Sequence, residues 1–271
     1  MTRARSRSVP RPAPRGVSPL AVYRMEAIVV RVQPFAESDR LATLLSAEHG
    51  RVRAVARGAQ KGRSTLSAAV QPFVRARMLL WHGRQLDGVA QAEILDAHGG
   101  VARDVGLLAA ASYCCDLADA FSVERQEAGA LYGGLSAALD LVAAAAARPA
   151  PAVVLRWFEL SCLGCSGFLP ELAVCTACGA PVGDPQGRSR LSASGGGILC
   201  DGCSGTDPHG LWLSPNTLRG LRYLAGATAE ALARVRVGPG TMAEMDAALA
   251  AHIGAVLQRP LRSRALLQAL T

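Results

Sequence analysis

The chain has 271 residues, half of them apolar, 18% charged and only 4% aromatic, which excludes a disordered or fibrous polypeptide and allows one large domain or two modest ones at roughly 100–200 residues each. The net charge of +8 is uneven: residues 1–80 hold 15 basic against 4 acidic side chains, and residues 81–271 hold 14 against 17. A basic excess confined to the first third suits a polyanionic partner, with a generic solvated face as the bland alternative.

Residues 1–20 are rich in Arg, Pro and Ser, have no periodicity, and read as a disordered basic tail. Pro10, Pro12 and Pro14 stand where a signal peptide needs its apolar stretch, and no apolar run reaches the ~18 residues of a membrane-spanning helix. The expectation is a cytoplasmic protein.

Residues 21–97 read as strands: Met25–Val32, Arg40–Leu45, Arg51–Val55, Phe73–Leu80 and Leu86–Leu95, broken by Pro34–Asp39, His49-Gly50 and His82-Gly83-Arg84. Five short strands with Gly-bearing turns suit a small Greek-key barrel such as the OB-fold, although a small open sheet gives the same pattern. Arg51, Arg53, Arg57, Lys61 and Arg63 place five cations in thirteen residues with no acid between them. Arg51 and Arg53 share one strand face, and Gly58–Gly62 reads as a flexible loop able to follow a phosphate backbone. Arg40, Arg75 and Arg77 extend the candidate patch. With only Phe35, Phe73 and Trp81 nearby for stacking, backbone-dominated and sequence-indifferent contacts are expected.

After Gly99-Gly100 the period becomes helical. One stripe runs through Leu107, Leu108, Ala111, Cys114, Cys115 and Ala118, and another through Leu131, Leu135, Leu139 and Val142. A third helix covers about 152–163. Ser214-Pro215 is an N-cap with proline at the first helical position, leading into Leu218, Leu221 and Leu224. Thr241 with Glu244 predicts a capping box ahead of Met245, Leu249, Ile253 and Val256. The expected organisation is a first helical part at 98–172, an inserted module at 173–208 and a second helical part at 209–271.

The insert carries Cys175-x-x-Cys178 and Cys200-x-x-Cys203 among many glycines. Two residues between cysteines let a tight turn present both thiolates to one ion, and two such turns complete a tetrahedral zinc site. A four-thiolate shell has no open position, so one structural Zn2+ is expected; disulfides are the alternative, disfavoured in a reducing cytosol. Cys162/Cys165 form a third pair at a helix end and, with Cys114 and Cys115, read as small buried hydrophobes.

No phosphate-binding GxxxxGK[ST] loop, HExxH or GxSxG occurs, and the five histidines are scattered. Nothing builds an active site, so no enzymatic activity is expected.

Taken in order, Tyr23-Arg-Met-Glu-Ala-Ile-Val-Val-Arg31, Glu37-Ser-Asp-Arg40, His49-Gly-Arg-Val-Arg-Ala-Val-Ala-Arg-Gly58 and Gln71-Pro-Phe73 resemble the RecO family of bacterial DNA-repair proteins. So do Trp157-Phe-Glu-Leu160, the Gly167/Pro170 break and the two Cys-x-x-Cys pairs; the likeness covers about residues 21–260. It implies an α+β multidomain chain: an N-terminal OB-fold β-barrel, then an α-helical domain with an inserted four-cysteine zinc finger. It also implies binding of single- and double-stranded DNA, annealing of complementary strands, and help in loading recombinase onto strands coated by single-strand-binding protein. The implied partners are RecR and the acidic C-terminal tail of the coating protein, with nucleoid association. DNA contacts would fall on Arg51, Arg53 and Arg57, with Lys61 and Arg63 adjoining. The family's basic loop is often denser; here Ala59-Gln60 interrupt it, and the 1–20 tail and Cys162/Cys165 are departures. A groove with Arg156, Arg219 and Arg222 is a candidate seat for the acidic tail. A different class of protein, a zinc-ribbon adaptor binding RNA or protein without annealing, fits the residues alone.

Overall fold

The computed structural model describes residues 22–60, 65–144, 149–183 and 187–270. Five strands form a closed barrel in the order β1-β2-β3-β5-β4: β1 (Val22–Phe35), β2 (Asp39–Ser46), β3 (Gly50–Ala56), β4 (Arg75–Trp81) and β5 (Asp87–Asp96). β1 serves two neighbours. Its first half pairs with β4 from Val22↔Trp81 to Ile28↔Arg75, and its second with β2 from Ala27↔Ser46 to Phe35↔Asp39. A register shift between Val29 and Arg31 bends the strand where it changes partner. A short parallel pairing, Ala54↔Asp87 and Val55↔Gly88, closes the barrel. This is the OB-type barrel, not the open sheet.

Strand alternation fills the lumen with Met25, Ala27 and Val29 of β1, Leu44 of β2, Val52 of β3, and Met78 and Leu80 of β4. Ile28 and Val30 point the other way, into the core of the helical part. Both faces of this stretch are covered, which is why Ile28-Val29-Val30 reads as an unbroken apolar run.

A short helix, α1 (Thr65–Ala69), lies between β3 and β4. The helical part comprises α2 (Val105–Phe121), α3 (Gly129–Ala143), α4 (Pro151–Cys165), α5 (Pro215–Ala225), α6 (Pro239–Leu257) and α7 (Arg262–Leu270). Ser214 caps α5 as expected, accepting from the Thr217 amide. The capping box of Thr241 with Glu244 does not form. α6 starts at Pro239, so Thr241 already lies in its first turn, and Gly238 offers no capping side chain. Glu244 reaches across to α5 instead, accepting from the Ser214 amide and the Thr217 hydroxyl, both at 2.7 Å. The cysteine-bearing segment holds a three-stranded sheet, β7-β6-β8, from β6 (Ser189–Ser192), β7 (Gly197–Leu199) and β8 (Leu211–Leu213). Leu191, Ile198 and Leu213 of that sheet share the helical core with Leu218, Leu221 and Met245.

Barrel and helices are tied along the loop between α2 and α3. The Arg51 amide donates to the Val123 carbonyl, the Arg125 amide to the Arg51 carbonyl, and the Ala128 amide to the Ala47 carbonyl. Gly50 makes this approach possible: its φ is +56°, and a Cβ there would stand 1.9 Å from the Gln126 carbonyl oxygen. Gly50→Ala should therefore cost about 2–3 kcal/mol in chemical denaturation. Gly129→Ala, at a site with open space around the added methyl, should be close to neutral.

Candidate nucleic-acid interface and metal centre

Of the eight cations that the sequence groups together, the six among the described residues do not form one continuous face. Arg53 and Arg57 are exposed. Arg53 stands beside Thr43 of β2, and among the described residues it makes no ion pair. The Arg57 guanidinium lies 5.6 Å from the centre of the Trp81 ring. That indole covers Gly88, where a Cβ would come within 1.9 Å of ring atoms. Trp81 is thus held at the barrel edge between the β5 backbone and an arginine, and a base can stack on it only in the arginine's place.

The other described cations are engaged within the protein. Arg51 donates to the Asp119 carbonyl at 3.0 Å and faces its carboxylate at 3.4 Å. Arg31, which the sequence reading did not single out, joins the same cluster, 3.0 Å from Asp116 and 2.7 Å from Asp119. Arg75 donates to the Ser136 hydroxyl at 3.0 Å, and Arg40 to the Ser67 and Val70 carbonyls, both at 3.2 Å. Arg77 pairs with Glu93 at 3.1 Å in solvent. Lys61 and Arg63 lie outside the described residues. The division has a simple cause: Arg31, Arg51 and Arg75 are on the barrel surface that the helical part covers. The loop after Arg57 also starts out anchored rather than free. The Gly58 amide donates to the Asp39 carboxylate at 2.8 Å, the Gln60 amide donates to the Ser38 carbonyl, and Ala59 is buried.

One further cluster escaped the sequence. Asp87, at the start of β5, is buried, and accepts hydrogen bonds from the Tyr23 hydroxyl and, at 3.2 Å, the Gly83 amide. Arg125 of the α2–α3 loop pairs with it at 2.9 Å. Burial pushes this carboxyl up, but the hydrogen bonds from Tyr23 and Arg125 outweigh it and hold the group below its ordinary range. Tyr23 also stacks on His82 at 4.4 Å. No spacing in the sequence links residues 23, 87 and 125.

The four cysteines of the insert do converge. The Cys175, Cys178, Cys200 and Cys203 sulfurs all lie within 4.8 Å of one another, and those of Cys178 and Cys200 are 3.7 Å apart. A tetrahedron with Zn–S bonds of ~2.3 Å has edges of about 3.8 Å, so the spacing fits a metal and is far beyond the ~2.05 Å of a disulfide. Gly179, at φ +74°, turns the first pair, and its amide donates to the Cys175 carbonyl at 2.8 Å. Backbone amides, led by that of Cys200, bring the Cys175 thiol down to about 6. Hydrogen bonds with the Cys200 and Cys178 thiols push Cys203 up to about 12. Four thiols this close cannot all ionise without a cation among them, and these four can hold one metal ion.

The remaining cysteines behave as expected with one exception. Cys114, Cys115 and Cys162 are buried, and burial raises all three thiols; Cys165 is exposed. Exposure follows from its place on the last turn of α4. His98 is buried at a left-handed backbone position between the two parts. Its Nδ1 lies 2.8 Å from the Phe73 carbonyl and its Nε2 3.0 Å from Asp140.

The arginines expected in a peptide groove are mostly committed elsewhere. Arg156 is buried against Glu159 and Asp246. Arg222 donates to the carbonyls of Leu172, Val182 and Gly183, stapling the cysteine module to α5. Arg219 is exposed and donates to the Asn216 side chain at 2.9 Å. An open cleft of about 710 Å³ does exist near the α2–α3 loop and the ends of α4 and α6, with Phe121, Val123, Leu131, Phe168 and Val256 among its walls. Among the described residues no helix is long and apolar enough to cross a membrane.

Comparison with known proteins matches residues 20–98 to the family model "Recombination protein O N terminal" and residues 102–265 to "Recombination protein O C terminal". The chain belongs to the RecO family of DNA-repair proteins. It is 37% identical over 251 residues to the DNA repair protein RecO of Symbiobacterium thermophilum, covering 93% of this chain and 98% of that one. It is 36% identical over 246 residues to that of Desulforudis audaxviator, covering 91% and 96%. Within this RecO-family chain the closed barrel and α1 fall in the N-terminal match, and α2 to α6 with the cysteine cluster in the C-terminal one.

Proposed function

We propose that this RecO-family protein is a recombination mediator without catalytic chemistry. It binds single- and double-stranded DNA, anneals complementary strands, and assists recombinase loading onto strands coated by single-strand-binding protein. The observation that carries this reading is the exposed Arg57 against the Trp81 ring, with the exposed Arg53 on the adjoining strand β3. Guanidiniums take phosphate, the indole offers a sequence-tolerant stacking surface, and neither reads base edges. Arg77 joins by releasing Glu93, and Lys61 and Arg63, next in sequence, add phosphate contacts; Arg40, Arg51 and Arg75 hold the scaffold. The metal is one structural Zn2+ on Cys175, Cys178, Cys200 and Cys203. RecR and the acidic tail of single-strand-binding protein are the protein partners. The protein works in the cytoplasm, at the nucleoid. Its units are a basic tail (1–20), barrel (21–97), helical part (98–172 and 209–271) and zinc module (173–208).

The test is annealing of complementary strands coated with single-strand-binding protein, across a salt series. Replacing both Arg53 and Arg57 by Ala should weaken single-strand binding about tenfold at low salt. It should also flatten the log–log salt slope by about 1.4, since each phosphate contact contributes ~0.7. Wild-type protein that anneals nothing at low salt, and a double variant that binds DNA equally well, would sink the mediator reading. The zinc-bearing adaptor that binds RNA or protein would then take its place.

A further inference from the structure

α5, the 3₁₀ turn Glu230–Arg234 and the amino end of α6 enclose a cleft of about 430 Å³ in the helical part. Arg219, Arg234 and Arg236 line it together with Tyr223, Leu224 and Met245, and no carboxylate does. Leu224 and Met245 are buried, whereas the Tyr223 ring is 53% exposed. Arg234 and Arg236 flank Val235, whose backbone is extended, so both side chains reach the same side. Among the described residues Arg234 and Arg236 have no carboxylate within ion-pair distance. Among the described residues Arg236 donates only to the Ala233 and Val235 carbonyls, both through one Nη. Over residues 209–240 four arginines face a single acid, Glu230, within a stretch of chain (81–271) that is acidic overall.

The cleft also receives the bare end of a 19-residue helix. Gly238 supplies no capping side chain, and Pro239 has no N–H, so the amides that follow point outward without a side-chain partner. Such an end favours a phosphate-sized anion. The cleft depends on a close helix crossing: a Cβ on Gly220 of α5 would stand 2.0 Å from Cε of Met245 on α6.

The geometry points to this cleft as a second nucleic-acid site, separate from the barrel, for a single strand. A phosphate sits on Arg234, Arg236 and the α6 amino end, and a base stacks on Tyr223. The inference rests on the annealing function proposed above, because a protein that joins two strands must hold both at once. An exposed phenol among guanidiniums favours a nucleotide over an acidic peptide: the ring offers a base a stacking face, and the guanidiniums and helix end match a phosphate.

The experiment uses the full chain and an iodouracil-substituted oligothymidylate, irradiated and mapped by peptide mass spectrometry. Wild type should cross-link at Tyr223 as well as at Trp81. Replacing Arg53 and Arg57 by Ala should abolish the Trp81 adduct and keep that at Tyr223. Replacing Arg234 and Arg236 by Ala should do the reverse, and slow annealing about tenfold while the salt slope of annealing falls by about 1.4. Arg234→Lys/Arg236→Lys should restore most of the rate, which separates charge from misfolding. Cross-linking at the barrel alone, or annealing unchanged in the Arg234/Arg236 variant, overturns the second site and leaves the function standing. Loss of binding for an acidic peptide, with DNA cross-linking at Tyr223 absent, also overturns it. A wild type that cross-links nowhere overturns both.

Discussion

Cys200→Ser, or removal of the metal with a strong chelator, is expected to unfold the segment between Leu172 and β8 and to lower the melting temperature by about 10 °C. The energy scale follows from the donor set, because a structural zinc on thiolates contributes ~10–16 kcal/mol of apparent binding energy, most of it spent on folding the segment that holds it. The segment has little else to hold it. Its apolar anchors are few, chiefly Leu191, Ile198 and Leu199, and β7 has only three residues.

The damage would not stay local. Arg222 of α5 hydrogen-bonds three carbonyls at the edge of this module, and β7 packs so tightly on Glu171 that a Cβ on Gly197 would stand 2.3 Å from its carbonyl oxygen. Losing the module strips Arg222 of its acceptors and exposes Leu191, Ile198 and Leu213, which belong to the main helical core. A net loss of 3–4 kcal/mol at roughly 2–4 °C per kcal/mol gives the stated shift. Native mass spectrometry should find one zinc per chain in wild type and none in Cys200→Ser, and limited proteolysis should cut the variant first within 176–208. Because thiolates bind metal and thiols do not, zinc should also be released as pH falls below about 6. Wild-type protein that holds no zinc, or that keeps its melting temperature after the metal is stripped, would refute the assignment.

What could be read from the sequence depended on whether a signal was local. The barrel strands announce themselves because β3 and β4 alternate cleanly, and the four converging cysteines because two turns of fixed spacing are a local property. The α5 start was legible for the same reason: Ser214-Pro215 acts within one turn. Glu244 was misassigned because its partner lies 30 residues upstream on another helix, and a capping box is defined only within one helix. Arg51 and Arg53 look equivalent on the strand. They part company because α2 brings Asp119 over the first and nothing over the second, which is information held in the packing of two domains. The same holds for Arg125 and Asp87. Nothing local marks Arg264 on the short helix α7, yet it completes a buried ion network.

That network is where the largest single-residue effect is expected. Glu159 of α4 is fully buried and meets Arg156 one turn earlier, with Nε–Oε2 at 2.8 Å. It accepts from the Tyr113 hydroxyl of α2, and Arg264 of α7 approaches at 3.6 Å. Arg156 and Arg264 both continue to Asp246 of α6, so four helices converge on one set of charges. Burial pushes the Glu159 carboxyl up, and Arg156, Tyr113 and Arg264 pull it back without cancelling the rise. A buried pair of this kind adds little net stability when intact, but removing one partner strands the other in low dielectric. Arg156→Ala should therefore cost about 3–5 kcal/mol, whereas the Arg156→Met/Glu159→Leu double variant, which removes both charges and keeps volume, should cost much less.

The pH dependence distinguishes this cause from lost packing. A carboxyl whose folded pKa is raised destabilises the folded state above its unfolded pKa of ~4.3, and the penalty fades as pH falls through the folded value. Removing Arg156 raises that value further. The deficit of Arg156→Ala relative to wild type should accordingly shrink between pH 8 and pH 5, as Glu159 takes up a proton, while that of the double variant stays flat. Urea denaturation of wild type and the variants at each pH measures this. A deficit in Arg156→Ala that does not change with pH would mean that the arginine's aliphatic stem matters there, and not its charge.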